Sequence, residues 1–192
     1  MEHFDKFSTP EPVRGDLLIS EPFLPDSNFE RSVILLCEHD ENGSFGFVLN
    51  HFSTLKLEEV IEESGGLSDV LFVGGPVQQE TIHIIHRCDD KVDGSQKIGE
   101  GIYWGGDFEE LLFQLNTKQI NQNDVRFFLG YSGWSKGQLM NEIEAKSWIV
   151  YKEPTSDQIF DLDANNLWRT ILNEMGGKFK IFANYPSDPR MN

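Results

Sequence analysis

The sequence predicts an α+β fold in a single domain. β-rich runs outnumber helical ones, and they come partly as consecutive pairs rather than in strict strand–helix alternation. No internal repeat or linker divides the 192 residues, a length that buries a sizeable core.

Residues 1–14 are polar and Pro-containing and read as a loosely ordered lead-in to a domain over 15–192. "DLLIS" is a short strand. "RSVILLCEHDENGSFGFVLN" holds two β-rich runs around the turn signal "DENG" and predicts a hairpin over 32–50. Its first arm is continuously apolar, as in a strand covered on both faces. "STLKLEEVIEESGG" predicts a helix capped by Ser53 or Thr54, striped with Leu57, Val60 and Ile61, and stopped by Gly65 or Gly66. "DVLFVGGPV" is a strand ending in a Gly-Gly-Pro turn, and "TIHIIHR" is another strand. "CDDKVDGSQK" reads as a polar loop and "IGEGIYWGG" as a turn before the helix "DFEELLFQL". Asp107 caps that helix, with Glu110 at the capping-box spacing. "VRFFLGY", "MNEI" and "SWIVYK" continue as strand, helix, strand. In "DANNLWRTILNEMGG", Asp163 is the predicted cap and Leu167, Trp168, Ile171, Leu172 and Met175 share one helical face. The tail carries Phe179, Ile181 and Phe182 for docking.

Charge narrows the function. Sixteen Lys and Arg against thirty-two acids give a formal charge of −16, and the basic residues are scattered. Such a field repels phosphate backbones, so direct nucleic-acid contact is not expected. The N-terminus has neither a basic nor an apolar signal region, and runs such as "VILLC" are too short to span a bilayer, so no membrane role is expected. Cys37 and Cys88 form no CxxC, and Cys37 reads as a buried free thiol. Both fit a reducing, cytoplasmic compartment.

The stretch "VRFFLGYSGWSKGQLMNEI" has the layout of two catalytic turns and the residues of neither. The nucleophile elbow G-x-S-x-G finds Gly130 and Ser132, but Trp134 stands at the last Gly, and all five histidines precede Ser132. The P-loop finds Gly130 and Lys136, but Ser135 replaces its second Gly and Gly137 its metal-binding hydroxyl. The stretch reads instead as a turn and a helix start, with Ser135 and Gln138 in a capping box and Lys136 at the first helical position. "GEGIYWGG" misses the dinucleotide fingerprint because Trp104 occupies its third Gly. His83 and His86 lie on a strand and point to opposite faces, so they make no zinc pair. In "CEHD" at most Glu38 with Asp40, or Cys37 with His39, converge; it reads as a polar hairpin end with His39 hydrogen-bonded. No metal site and no cofactor is predicted.

The phrases "GDLLISEPFLPDSNFERSVILLCEHDENGSFGFVLN", "FVGGPVQQETIHIIH" and "GYSGWSKGQLMNEI" together resemble the AlgH/YqgE family of bacterial proteins. The resemblance runs from about Gly15 to the last helix. It implies a branched, barrel-like, mainly antiparallel sheet flanked by helices, with no established biochemical activity and a transcriptional-regulator label. The family turn commonly reads G-W-G-P-G-Q-L; Trp134, Gly137, Gln138 and Leu139 match it, while Ser135 and Lys136 replace Gly and Pro.

The expected function is a non-enzymatic regulatory or adaptor protein that binds a protein partner or small ligand. Its surface would form where "CEHD", "VGGPVQ" and "GYSGWSKGQ" converge. The candidate residues are Glu38, His39, Asn50, Gly74, Gly75, Gln78, Ser132, Trp134, Lys136 and Gln138. One alternative is a hydrolase using Ser132 or Cys37 with His39. Another is a transcriptional regulator acting indirectly rather than by DNA contact.

Overall fold

The computed structural model describes residues 11–186 apart from Asp69. The predicted hairpin forms as β2 (Val33–Asp40) and β3 (Gly43–Val48). On its far side β2 pairs with β1 (Leu17–Ser20), which pairs in turn with β9 (Trp148–Tyr151), all antiparallel. Beyond β3 lies β8 (Val125–Ser135), then β5 (Val77–His86), β7 (Ile102–Gly105) and β6 (Ser95–Gly99). β4 (Phe72–Val73) runs parallel to β8 at Phe128 and Leu129, where β5 already holds the opposite edge. The free edge of β8 is therefore shared by β4 and β3. This is the branch point of a sheet that curls into a half-barrel.

Gly15 marks the curl: a Cβ there would collide with the Ile98 carbonyl of β6, so the two ends of the sheet approach one another. Inside the curl, Leu35, Phe47 and Phe128 pack against α5 (Leu167–Met175), which presents Trp168, Ile171 and Leu172. A second apolar layer joins β5 and β8 to α2 (Phe108–Asn116). A third joins β1, β2 and β3 to α3 (Gln138–Glu144) through Ile34, Val48, Leu139 and Ile143.

Several elements differ from the sequence reading. The predicted helix from Ser53 shrinks to α1 (Leu57–Val60) and a 3-10 turn, Glu62–Ser64. Ser53 Oγ accepts from the Leu55 amide in a local turn instead of capping a helix, and the Glu59 carboxylate reaches back to the Lys56 amide, fixing the start at Leu57. The predicted loop and turn over 88–106 contain the β6–β7 hairpin, closed at Glu100 and Gly101 (φ 66°).

"GYSGWS" is strand, not turn. At Gly130 (φ 63°) a Cβ would lie 2.6 Å from the Val77 carbonyl, so this glycine permits close approach of β5 rather than reversing the chain. The turn comes at Lys136–Gly137, and Gly137 precedes the helix with φ 74°. Lys136 is thus outside α3. Only half the capping box forms: the Ser135 amide donates to Gln138 Oε1 (3.0 Å), but Ser135 Oγ donates there too instead of accepting a helix amide.

α4 (Ser156–Phe160) is an addition, opened by a Thr155–Gln158 capping box that the sequence carries as T-x-x-Q. Asp163 caps a 3-10 turn, Ala164–Asn166, leading into α5. The tail forms α6 (Gly177–Ala183), whose Phe179 and Phe182 pack on the core while Ile181 stays exposed. In the lead-in, Pro12 is buried and the Val13 amide donates to Asp16, whose carboxylate also receives Lys152 (2.7 Å).

Candidate functional site

The site follows from strand alternation and one irregularity. β2 and β3 pair Leu35 with Phe47 and Leu36 with Gly46, then skip Cys37 and resume at Glu38–Phe45. This bulge sends Cys37 into the core between the same walls as Leu35, and sets Glu38 beside Phe45 on the inner side of the curl. The register continues into β8: Phe45 lies opposite Gly133, and Ser44 opposite Trp134. Glu38, Asp40, Phe45, Tyr131 and Gly133 therefore share the inner face. His39, Ser44, Ser132 and Trp134 share the outer one.

On the inner face lies an open hollow of about 690 Å³. Its floor is aromatic. Phe45 meets Trp104 edge-on at 5.0 Å between ring centroids and Tyr131 at 6.1 Å. His83 packs against Phe47 (5.0 Å) and Tyr131 (5.9 Å). Gly133 leaves the space beside Tyr131 without a side chain. Glu38 and Asp40 form the rim. Asp40 Oδ1 accepts from the Asn42 and Gly43 amides of the hairpin turn. Among the described residues, the Glu38 carboxylate, the Trp104 indole N–H and the Tyr131 hydroxyl have no hydrogen-bond partner. His83 bonds Thr81 Oγ1 (2.9 Å), and burial lowers its pKa, so the ring is neutral at neutral pH.

The outer face is closed. The Trp134 and Trp148 indoles both donate to Glu142 Oε2, at 2.9 and 2.8 Å, and Gln138 Nε2 donates to Glu142 Oε1. His39 Nδ1 bonds Ser44 Oγ (2.6 Å). Ser132 is buried and donates to the Gly74 carbonyl (3.0 Å), and its hydroxyl meets no histidine among the described residues. Burial, the largest cause, pushes the Cys37 thiol well above its ordinary pKa, and its Sγ lies 3.7 Å from the Leu35 carbonyl.

The remaining candidates are dispersed. Asn50 and Gly75 border a separate hollow of about 520 Å³, where the Asn50 amide already bridges the Val33 N–H and the Arg31 carbonyl, both at 2.9 Å. Gly74 and Gly75 run so close to β8 that a Cβ on either would strike its backbone. Gln78 (φ 47°) is exposed at the β5 irregularity, and Lys136 is exposed on its turn. His83 and His86 occupy opposite faces as expected of a strand; His86 is buried and bonds Ser95 Oγ (2.8 Å). A further hollow of about 710 Å³ includes Arg87. That guanidinium is already committed to Asp124 (2.7 Å), Asp161 (2.6 Å) and Asp157 (3.1 Å), and its pKa is raised, mainly by Asp161.

Three residues of the hollow, Phe45, Trp104 and Tyr131, are not among the sequence candidates. Phe45 and Tyr131 lie on predicted strands, and Trp104 in a stretch that reads as a turn.

A family model described as AlgH-like (DUF179) matches residues 17–180. The chain belongs to the AlgH-like family. AlgH-like relatives named UPF0301 protein occur in Cytophaga hutchinsonii, 44% identical over 94% of this chain and 99% of that protein, and in Chlorobium limicola, 43% identical over 93% and 95%. The AlgH protein of Pseudomonas aeruginosa, a solution structure, superposes with a TM-score of 0.71 at 25% identity, covering 97% of this chain and 98% of that one. Protein DIP2367 of Corynebacterium diphtheriae shares the fold, with a TM-score of 0.77 at 23% identity over 95% and 97%. The AlgH-like half-barrel holds no helix, among the described residues, long and apolar enough to cross a membrane.

Proposed function

We propose that this AlgH-like protein is a non-enzymatic regulatory or adaptor protein whose inner-face hollow binds a protein partner or small ligand. One observation carries the reading: the half-exposed polar groups of Glu38, Trp104 and Tyr131 lack partners among the described residues, above an aromatic floor. Concave apolar surfaces with a few convergent polar groups are the usual form of a binding site. Ser132 and Cys37, the nucleophiles of a hydrolase reading, both lie away from that opening. The free thiols Cys37 and Cys88 favour a reducing, cytoplasmic setting. With a formal charge of −16, an effect on transcription would run through the bound partner rather than through DNA.

The test is affinity purification from native cells at endogenous level, with mass spectrometry of co-purified proteins and metabolites. Trp104→Leu is expected to lose at least one reproducible component that the wild type and the outer-face variant His39→Gln both retain. Identical recoveries from all three proteins, with circular dichroism unchanged, would refute the reading.

A further inference from the structure

The chemistry of the hollow narrows its ligand. Aromatic rings present negative faces, and a cation over them is attracted by the ring quadrupole, most strongly at Trp. Phe45 meets Trp104 at 65° and Tyr131 at 76°, edge-to-face rather than stacked, and all three rings line the hollow. Glu38 stands beside Phe45 in register, and Asp40 follows on the same side. Neither acid is in an ion pair among the described residues.

The contrast with Arg87 is instructive. That guanidinium also lies over an aromatic ring, Phe160 at 5.3 Å, and among carboxylates, so the molecule already builds one cation seat of this kind and fills it from its own chain. The hollow has the same two components, aromatic rings and carboxylates, without a resident cation among the described residues. His83 adds no positive charge at neutral pH because burial holds it neutral. Arg14 is close enough to act on the Cys37 thiol, and no ion pair joins it to Glu38.

We infer that the hollow takes a cationic group, an alkylammonium or guanidinium, seated on the faces of Trp104, Tyr131 and Phe45 and paired with the carboxylates of Glu38 and Asp40. The inference rests on the hollow being the binding site and specifies what enters it. Two sources share this chemistry, a Lys or Arg side chain on a protein partner and a free small ammonium. The chain's overall negative charge would speed the approach of either.

Solution NMR separates the outcomes. The reporters are the Trp104 indole N–H, assigned by its loss in Trp104→Phe, and the Gly133 amide. The probes are choline, its uncharged carbon isostere 3,3-dimethylbutanol, and capped Gly-Arg-Gly and Gly-Lys-Gly tripeptides against capped Gly-norleucine-Gly. Saturable shifts of both reporters are expected with choline or the basic tripeptides, and binding about tenfold weaker for the matched neutral probe. Glu38→Gln, a near-isosteric change, should weaken the cation by roughly threefold to tenfold, and added salt should weaken it further. Choline binding alone assigns a free ammonium; tripeptide binding alone assigns a partner's side chain. Neutral probes that bind as well as charged ones would overturn the cation inference while leaving the hollow as a binding site. Absence of any shift with every cation would overturn it as well. The site itself is judged separately, by the co-purification experiment.

Discussion

The inner and outer faces of β2, β3 and β8 are made by alternate residues of the same strands, yet they are finished differently. On the outer face the polar groups meet one another. Glu142 takes two indole N–H groups and an amide, His39 meets Ser44, and Ser132 meets the Gly74 carbonyl. On the inner face Glu38, Trp104 and Tyr131 are half-exposed and lack partners among the described residues. A buried polar group left unpaired costs more than a formed hydrogen bond returns, so a closed network belongs to the architecture. Half-exposed groups above an aromatic floor remain available to a ligand. The difference teaches that the family-marking Trp134, though it borders the hollow, has its indole N–H tied into the fold by Glu142, while the indole N–H of Trp104, outside the family turn, has no partner among the described residues.

Removing the centre of the closed network gives the largest expected effect. Glu142→Ala leaves the Trp134 and Trp148 N–H groups without their acceptor, at a cost of about 2–4 kcal/mol in urea unfolding. Glu38→Gln on the other face should change stability by no more than about 0.5 kcal/mol. If the two variants unfold at the same urea concentration, the division between the faces is wrong.

That division was only partly legible in the sequence. The hairpin, β5, β9, α2 and α5 follow from periodicity and cap chemistry that sit within each segment. Asp107 accepts from the Glu110 amide at 2.9 Å, at the spacing the sequence displays. Glu38 is a binding candidate through "CEHD", which reads as a polar hairpin end. The bulge at Cys37 is not legible there, because it arises from pairing with β3 rather than from Cys37 itself. One skipped residue exchanges the faces of everything after it, which is why Glu38 and His39 could not be sorted. Trp104 was hidden differently. Its glycine-rich surroundings suggest a turn, yet Gly105 (φ 75°) ends a strand, and the Phe45 that Trp104 meets belongs to a distant hairpin. Ser132 looked like a turn residue for the same reason: close approach and reversal both call for glycine.

The bulge also predicts reactivity. Cys37 is fully buried in the core layer that Phe45 packs against, with its thiol pKa pushed well up by burial; Cys88 is pushed up to about 11 by the same cause. Since the thiolate is the reactive species, native alkylation by iodoacetamide near pH 8 should be about a hundredfold slower than in urea. Fluorophosphonate labelling of Ser132 should be absent. Rapid native alkylation at Cys37 would show that the core behind Phe45 opens, and labelling lost in Ser132→Ala would restore the hydrolase reading.

The smallest expected effect is in pH, and it touches the inner face through His83. Burial lowers the pKa of His51, His83 and His86 from the ordinary 6.5. The unfolded chain therefore binds protons that the folded chain resists, and stability rises with pH through this window. It is fully present above pH 6.5 and is lost as pH falls through the lower folded values. Asp161, held low mainly by its hydrogen bond from Arg87, acts in the same direction but only at carboxylate pH, so the two windows separate. Urea midpoints measured between about pH 5 and pH 8 should climb and then level off. His83→Gln should flatten the climb. It should also preserve cation binding at low pH, because the wild-type ring, once protonated between Phe47 and Tyr131, places a positive charge beside the seat. A climb unchanged by His83→Gln would show that this ring titrates in the folded protein as it does in the unfolded one, and the floor of the hollow would then be wetter than its aromatic packing implies.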